Sequence, residues 1–329
     1  MSSRVRVGIA GTGSYVPTRI VPNSHFEKYL DTSDEWIVQR TGIQARRWVS
    51  EGEATSHLAL KAARHALEAA QVKPEDLDLI VCGTLTPDHL LPGCATILQR
   101  ELGATKAGAF DLNSACTGFL SAFATAEAFV ASGRARRVLC LGAETLSRWL
   151  DPQDRGSCIL FGDGAGAAVL VPWEECRQGE VLKTSLGADG TGYDLIHMQA
   201  GGSLQPATHG TVDKGEHFIR VQGREVFRFA VERMGALIEE MAAGHSYDEI
   251  CLVVPHQVNR RIIDAALERM GWNDEKVVVN IQHYGNTSAA SVPVALDEAV
   301  RAGRTQSGKL VILAAFGAGL TWGGALLRW

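Results

Sequence analysis

The sequence has few of the features that mark metalloproteins or disulfide-stabilised proteins. Its seven cysteines are scattered without a CxxC pair, and its ten histidines show no metal-ligand spacing. This pattern argues against a zinc site and against a disulfide framework. Most of the cysteines lie in apolar runs, so we expect reduced core residues in a cytoplasmic protein that binds no metal.

Excess positive charge is also absent. The 329 residues include 32 Lys and Arg against 37 Asp and Glu, a net charge of −5, which argues against nucleic acid as a partner. The first residues lack the apolar stretch and cleavage site of a signal peptide. The uncharged run 310–327 contains glycines at 317, 319, 323 and 324, so it is predicted to be a buried β-hairpin rather than a membrane span.

The glycine-rich segments lack the other features of nucleotide-binding loops. The pair Gly11 and Gly13 follows a predicted strand but has no third glycine. The segment GDGAG at 162–166 precedes a predicted strand instead of a helix, and no lysine follows it. We therefore expect tight packing turns and no nucleotide or other cofactor.

Apolar periodicity predicts an α/β protein. Helices are expected at 57–70, 92–102, 117–132, 225–242 and 260–270, and strands at 4–10, 77–82, 109–113, 137–141, 167–171, 250–254 and 277–280. Alternating strands and helices favour parallel sheets covered by helices. The helix at 117–132 has only one charged residue, which predicts a buried helix between two sheets. The join between two halves is expected near 172–190, and a surface loop at 201–214.

The two halves share a pattern that indicates a duplication. The segments NSACTGFLSAFATAEAFVASG, which ends at Gly133, and YGNTSAASVPVALDEAVRAG, which ends at Gly303, each lie between apolar runs. In this register Cys116 aligns with Asn286, and each lies in a turn before a helix. The free N–H groups and partial positive charge of a helix start favour a thiolate. Packing about a pseudo-two-fold axis would bring Cys116 and Asn286 to one cavity.

Three residues at predicted strand ends are candidates for chemistry: Cys116, His256 and Asn286. Loops at the carboxyl ends of parallel strands favour catalytic groups. Each residue taken alone also fits a structural role, as a core cysteine, a buried hydrogen-bonded histidine or a helix-capping asparagine. Their coincidence in a duplicated chain favours a thiol active site.

Several segments resemble β-ketoacyl-acyl carrier protein synthase III, a thiolase-like condensing enzyme family. They are GTGSYVP (11–17), DTSDEWIVQRTGI (31–43), DRGSCILFGDGAGAAVL (154–170), VPHQVNRRII (254–263), HYGNTSAASVPVALDEAV (283–300) and FGAGLTWGGALL (316–327). The resemblance implies the thiolase-like, internally duplicated αβαβα layered fold. We expect an N-terminal half at 1–172 with the nucleophile, a C-terminal half at 173–329 with the histidine and asparagine, and a homodimer.

The resemblance also implies a reaction, the decarboxylative Claisen condensation that begins type II fatty acid synthesis. Cys116 would take an acyl group from acyl-CoA, and the backbone N–H groups of Cys116 and Ala318 would bind the thioester oxygen. Malonyl-acyl carrier protein would then lose CO₂, with His256 and Asn286 as donors to the enolate oxygen. Phe316 would shield the thioester from water, and the product would be 3-oxoacyl-acyl carrier protein.

The substrate-binding residues follow from the same resemblance. The predicted CoA contacts are Trp36, Arg40, Arg155 and Asn259, and those to the acyl carrier protein are Gln257, Arg228, Arg260 and Arg261. Leu91 matches a position that the dimer partner inserts into the acyl pocket. Because leucine is smaller than an aromatic residue, we expect primers longer or more branched than acetyl to be accepted.

Three other functions stay open at this point. A specialised thiolase-like condensing or acyl-transferring enzyme of polyketide or quinolone synthesis would share the three residues. A cysteine hydrolase would use Cys116 and His256 to release free acid without a malonyl donor. A non-catalytic acyl-binding relative would not need Cys116 for its function.

Overall fold

The structure, a computed structural model, describes residues 4–329. Its strands, in chain order, are β1 (Val7–Tyr15), β2 (Ile20–Pro22), β3 (Ala45–Arg47), β4 (Leu79–Gly83), β5 (Gly108–Leu112), β6 (Val138–Thr145), β7 (Asp163–Pro172), β8 (Glu180–Ala188), β9 (Ile196–His197), β10 (Arg220–Val221), β11 (Ile250–Pro255), β12 (Leu310–Gly317) and β13 (Thr321–Arg328).

The α-helices separate these strands. They are α1 (Asp34–Thr41), α2 (Thr55–Ala70), α3 (Cys94–Leu102), α4 (Gly118–Ala131), α5 (Trp173–Cys176), α6 (His209–Asp213), α7 (Gly223–Ala242), α8 (Arg260–Met270), α9 (Ile281–Tyr284) and α10 (Ser291–Arg301). Within residues 4–329, no helix combines the length and apolar character needed to cross a membrane.

Two main sheets form the frame. The first has the order β1-β7-β6-β4-β5, and the second the order β11-β12-β13-β8. Strands β5, β4 and β6 are parallel to one another, as are β11 and β12, whereas β7, β1, β13 and β8 join by antiparallel pairing. The expected parallel pairing therefore holds for part of each sheet. Each sheet is mixed, because the chain returns through hairpins as well as helical crossovers.

The layers follow the buried faces of these elements. Helices α4 and α10 pack between the two sheets, α2 and α3 cover the outer face of the first sheet, and α7 and α8 cover that of the second. This arrangement is the predicted αβαβα layering, and the nearly uncharged α4 is the central helix of the first half, as predicted. All strands of the first sheet end by residue 172, and all strands of the second begin at or after residue 180, while the division at 172/173 stays a prediction.

The duplication is visible in the turns that precede α4 and α10, but in a different register. Each turn is a 3₁₀ segment, Ala115–Thr117 or Ser288–Ala290, and begins with a residue of positive φ, 49° at Ala115 and 50° at Ser288. Cys116 is therefore matched in conformation to Ala289, not to Asn286 as the sequence register predicted. Helix α10 has 11 residues and α4 has 14. An alignment on the final glycines, Gly133 and Gly303, therefore differs by three residues from an alignment on the helix starts.

Other boundaries also differ from prediction. Residues 277–280 make only an isolated bridge, from Val277 to Val253, instead of a strand. Strand β8 occupies the region predicted to be the join, and the predicted loop at 201–214 contains α6. The segment 162–166 largely belongs to β7 instead of preceding a strand. The hairpin of β12 and β13 around Gly319 confirms the interpretation of the uncharged carboxyl-terminal run.

Candidate active site

A cavity of about 180 Å³ lies where the two halves meet. Cys116, His256 and Asn286 all line it, together with Phe316 and Ala318. The turn after β5 supplies the cysteine, the end of β11 supplies the histidine, and the segment after α9 supplies the asparagine. The structure thus brings the three predicted residues together, although they are up to 170 positions apart in sequence.

The cysteine lies in a crowded turn. The Thr117 N–H donates to the Ser114 carbonyl at 3.1 Å, and a methyl group on Gly317 would lie 2.8 Å from the Cys116 nitrogen. Burial raises the pKa of the Cys116 thiol to about 12, although the neighbouring Ser288 side chain opposes this shift. The thiolate that the helix start was expected to favour is therefore not the resting form; the thiol must lose its proton during the reaction.

The histidine is buried and neutral. Its backbone N–H donates to the Ala314 carbonyl at 2.7 Å, and its Nδ1 lies 2.6 Å from Ser291 Oγ. Burial lowers the pKa of His256 to about 3. Its Nε2 has no hydrogen-bond partner among the described residues. If the Ser291 hydroxyl donates to Nδ1, Nε2 carries the ring proton and can donate it to an oxygen atom in the cavity.

The asparagine is held from both sides. Its backbone N–H donates to the Leu160 carbonyl at 2.8 Å, and its carbonyl accepts from the Gly162 N–H at 2.9 Å. Its side-chain oxygen accepts the Ser288 N–H at 2.8 Å. Because the oxygen is engaged, the NH₂ group remains as the donor for a ligand. With the Ser291 hydroxyl as donor to Nδ1, His256 and Asn286 offer two N–H donors and no proton acceptor to a substrate.

Two further predicted residues complete the wall around Cys116. The Phe316 ring packs edge to face on His256, with ring centroids 5.6 Å apart. Ala318 follows β12 in the cavity wall, next to the turn of Cys116. The remaining lining is largely apolar; it includes Leu85, Leu146, Leu160, Phe161, Ile196, Ile219, Val221, Val226, Phe227, Val258 and Ile262. Such a lining excludes water and suits an acyl chain.

The residues predicted to bind CoA form one group beside the cavity. The Arg155 and Arg40 guanidinium carbons lie 4.7 and 5.6 Å from the centre of a Trp36 ring. Asn259 lines the cavity, and its side-chain NH₂ donates to the Arg40 carbonyl at 3.1 Å. Asn259 therefore connects the aromatic and arginine cluster with the cavity wall.

The residues predicted to bind the carrier protein are not equivalent. Arg228 and Arg261 are exposed, and the Arg261 guanidinium carbon lies 5.6 Å from the ring centre of Phe227 in the cavity wall. Arg260 is paired with Asp264 at 2.6 Å and with Asp274 at 2.8 Å, so its charge is largely balanced. Gln257 is 1% exposed.

The prediction for Gln257 is therefore wrong. Its side-chain NH₂ donates to the carbonyls of Pro255 and Val278, and its oxygen accepts from the N–H groups of Asn280 and Ile281. A buried amide with all these bonds anchors the loop after β11 and has no free group for a partner protein. The sequence shows only that Gln257 follows the histidine, which fits either role.

Leu91 lies outside the cavity. It is 84% exposed, and the neighbouring Leu90 is 88% exposed. Neither residue lines the cavity of its own chain, so Leu91 could form part of an active-site wall only in another copy.

Three polar residues near the cavity were missed by the sequence analysis. Ser288 and Ser291 flank the turn after Asn286, and the fully buried Glu144 ends β6 beside them. A glutamate in the apolar run VLCLGAE is the one signal that could have suggested Glu144. Within residues 4–329, no group of three His, Cys, Asp or Glu side chains is placed to hold a metal ion.

The five-layered duplication with a cysteine at its centre defines a thiolase-like protein. Residues 110–190 match the family model for 3-oxoacyl-[acyl-carrier-protein] synthase III, and residues 241–329 match the model for its C-terminal part. The chain is 50% identical to the β-ketoacyl-[acyl-carrier-protein] synthase III of Caldanaerobacter subterraneus subsp. tengcongensis, over 100% of this chain and 99% of that protein. The chain belongs to the 3-oxoacyl-[acyl-carrier-protein] synthase III family.

Solved structures agree with this assignment. The crystal structure of 3-oxoacyl-[acyl-carrier-protein] synthase III from Aquifex aeolicus is 44% identical, with a TM-score of 0.89 and coverage of 98% of this chain and 100% of that one. A priming β-ketosynthase of the R1128 polyketide pathway is 37% identical, with a TM-score of 0.90 and coverage of 100% and 98%. The higher identities favour fatty acid synthesis over polyketide synthesis: the chain is an acyltransferase, the initiating condensing enzyme of fatty acid synthesis.

Proposed function

We propose that this enzyme transfers an acyl group from acyl-CoA to Cys116 and then condenses it with malonyl-acyl carrier protein. The observation that carries the proposal is that a thiol and two N–H donors line one apolar cavity. No carboxylate in residues 4–329 is hydrogen-bonded to the His256 ring. A hydrolytic relay would need a histidine that accepts the thiol proton. Here the histidine pKa is lowered to about 3, which favours donation by a neutral ring.

In the first half-reaction the Cys116 sulfur attacks the thioester carbonyl of acyl-CoA. The developing negative charge on the carbonyl oxygen is bound by backbone N–H groups of Cys116 and Ala318. The Trp36 and Arg155 cluster binds the CoA nucleotide, because an indole and a guanidinium can stack on the adenine and the guanidinium can pair with phosphate. Asn259 contacts the pantetheine arm between that cluster and the cavity.

In the second half-reaction malonyl-acyl carrier protein loses CO₂, and its α-carbon attacks the acyl-Cys116 carbonyl. The bond between the acyl carbon and the Cys116 sulfur then breaks, which releases 3-oxoacyl-acyl carrier protein, and the sulfur takes up a proton. Negative charge forms on the malonyl thioester oxygen, which accepts from His256 Nε2 and the Asn286 side-chain NH₂. Both donors keep their protons at neutral pH, so the step needs no proton transfer from them. Phe316 and the apolar walls exclude the water that would hydrolyse the acyl-enzyme.

The apolar lining supports acyl primers longer or more branched than acetyl. A homodimer would add the exposed Leu91 of one protomer to the acyl cavity of the other. The reaction requires no cofactor, since acyl-CoA is consumed as a substrate.

Mass spectrometry of the intact protein after exposure to a series of acyl-CoAs tests this function. The proposal is supported if an acyl adduct maps to Cys116 and is absent in Cys116→Ala. The adduct should be lost, with formation of 3-oxoacyl product, only when malonyl-acyl carrier protein is added. Release of free acid at the same rate without a malonyl donor would instead identify a hydrolase.

A further inference from the structure

The proposed mechanism leaves one buried ionisable side chain without a role. Glu144, at the carboxyl end of β6, has no measurable exposure and forms no ion pair among the described residues. A buried carboxylate without a cation is costly, so its presence beside the active site requires an explanation.

Hydrogen bonds hold the Glu144 carboxyl in a fixed position. It accepts from Thr86 Oγ1 at 2.6 Å, from the Thr86 N–H at 3.2 Å and from the Leu85 N–H at 3.2 Å. Ser288 Oγ donates to the other oxygen of the carboxyl at 3.2 Å. Burial raises the pKa of Glu144 to about 8, while these donors oppose the rise. The group can therefore bind and release a proton near neutral pH.

The Ser288 hydroxyl links this carboxyl to the nucleophile. Its side chain lines the cavity beside that of Cys116 and donates to Glu144, at the point where the turns before α4 and α10 meet. Its backbone N–H is already engaged by Asn286, which fixes the position of the hydroxyl. Cys116, Ser288 and Glu144 thus form a continuous chain from a thiol through a hydroxyl to a carboxylate.

We propose that Ser288 passes the Cys116 thiol proton to Glu144 during acyl loading, an inference that rests on the proposed function. As the sulfur–carbon bond to the acyl group forms, the S–H proton moves to Ser288 Oγ and the Ser288 proton moves to the Glu144 carboxylate. When the bond between the acyl carbon and the CoA sulfur breaks, the proton returns along the same chain to the leaving sulfur. Ser288 is regenerated, and no external acid or base is consumed.

The charge balance favours this route over a thiolate with an ionised Glu144. Burial, together with the charge of the nearby Glu144, raises the thiol pKa of both Cys116 and Cys82. Two adjacent negative charges would form if the thiol lost its proton to solvent, whereas transfer to Glu144 keeps a single negative charge in the buried site. His256, neutral and bonded to Ser291, does not compete for the proton.

The test measures the rate of acyl transfer from acetyl-CoA or a branched acyl-CoA to Cys116 by intact mass, from pH 6 to 10. For the wild type, loading should rise with pH and level off above about 8, since Glu144 accepts a proton only when ionised. For Glu144→Gln, loading at pH 8 should fall roughly 100-fold and recover at higher pH, where hydroxide takes the proton. Glu144→Asp should restore part of the rate.

Glu127→Gln is the matched control, because it neutralises another buried glutamate near the far end of α4. It should keep the wild-type rate and pH profile. Ser288→Ala should reproduce the Glu144→Gln defect, and the double variant should lose no more than either single variant.

The proposal is overturned if Glu144→Gln loads the acyl group at or above the wild-type rate. In that case Glu144 acts only as a nearby negative charge, and its removal lowers the thiol pKa of Cys116. If Glu144→Gln does not fold, as judged by circular dichroism, Ser288→Ala alone decides. An unchanged rate and pH profile overturns the relay, and slow loading at pH 8 that recovers at higher pH supports it. Failure of the wild type itself to load at Cys116 would instead refute the proposed function.

Discussion

His256 has one side-chain hydrogen bond, to Ser291 Oγ at 2.6 Å, and this bond determines which ring nitrogen faces the cavity with a proton. Because burial keeps the ring neutral, only one of its nitrogen atoms carries hydrogen. If Nδ1 carried the proton instead of Nε2, Asn286 would be the only side-chain donor to the malonyl thioester oxygen. Ser291, five residues after Asn286, therefore orients the ring that we propose as a donor in the second half-reaction.

We predict that Ser291→Ala lowers kcat for condensation about tenfold, a partial loss compared with the roughly 10²–10³-fold cost of removing an oxyanion donor entirely. Without the hydroxyl, the ring can adopt the other tautomer and can rotate. Acyl loading of Cys116 should not change, since the backbone donors serve that step. The measurement is the rate of malonyl decarboxylation beside the rate of acyl transfer.

Ser132→Ala, at an exposed position after α4, serves as the control and should match the wild type in both steps. Equal slowing of loading and condensation by Ser291→Ala would contradict the positioning role and point to a general loss of structure. Since the His256 pKa is lowered to about 3, the condensing step should also show no titration of this ring between pH 5 and 9.

At the scale of elements, close approach of backbones holds the layers in place. Helix α2 lies against β1 at Gly13, where a methyl group would collide with the backbone of Ala66. The absence of a side chain is what allows this distance. The pair Gly11 and Gly13, discounted as a nucleotide fingerprint in the sequence, is thus a packing surface for a helix.

We predict that Gly13→Ala lowers the free energy of unfolding by about 1–3 kcal/mol, because either α2 or β1 must shift to admit the methyl group. Equilibrium unfolding in urea measures the change. Gly202→Ala is the control, since its added methyl group would meet nothing within 4 Å, and it should be close to neutral. If Gly13→Ala is as stable as Gly202→Ala, α2 and β1 can move apart with little loss of stability, and the prediction is wrong.

Helix α10 contains a proline close to its start. Pro293 is its third residue, so the missing N–H falls among the first-turn groups that have no partner within the helix. The helix therefore begins late instead of kinking. The residues released from the helix, Thr287 to Ala290, form the turn that places Ser288 beside Cys116.

At the scale of the whole molecule, the net charge of −5 opposes an acidic partner, so local charge must guide the carrier protein. Arg261 is exposed, and the next residue, Ile262, lines the cavity. Arg228 is also exposed, whereas Arg260 is paired with two aspartates. Arg261 therefore places exposed positive charge beside the cavity.

We predict that Arg261→Glu raises KM for malonyl-acyl carrier protein about tenfold, with a smaller effect at high salt, because charge reversal weakens electrostatic association. Acyl loading from CoA should be spared. Arg64→Glu, the same reversal at an exposed position on α2, should leave both substrates unaffected. Equal use of the carrier protein by Arg261→Glu and the wild type would place the docking surface elsewhere.

Local patterns were sufficient for much of this architecture. Periodicity located α2, α4, α7 and α8 and most strands to within a few residues, because each has a continuous apolar face. The predicted register of the duplication was wrong because it rested on the glycines after the two helices. The residues of positive φ before the helices, Ala115 and Ser288, give the register that the backbone shows. Residues 277–280 have strand-like composition but meet a neighbour at a single bridge.

The sequence by itself determined the layered class, the three cavity residues and the family, since these depend on apolar period and on long specific motifs. Only the tertiary structure decided the ionisation of the site. The pKa values of Cys116, His256 and Glu144 depend on burial, which arises when distant segments pack together and exclude water. For the same reason only the fold could show that Gln257 is enclosed while Arg261 faces solvent.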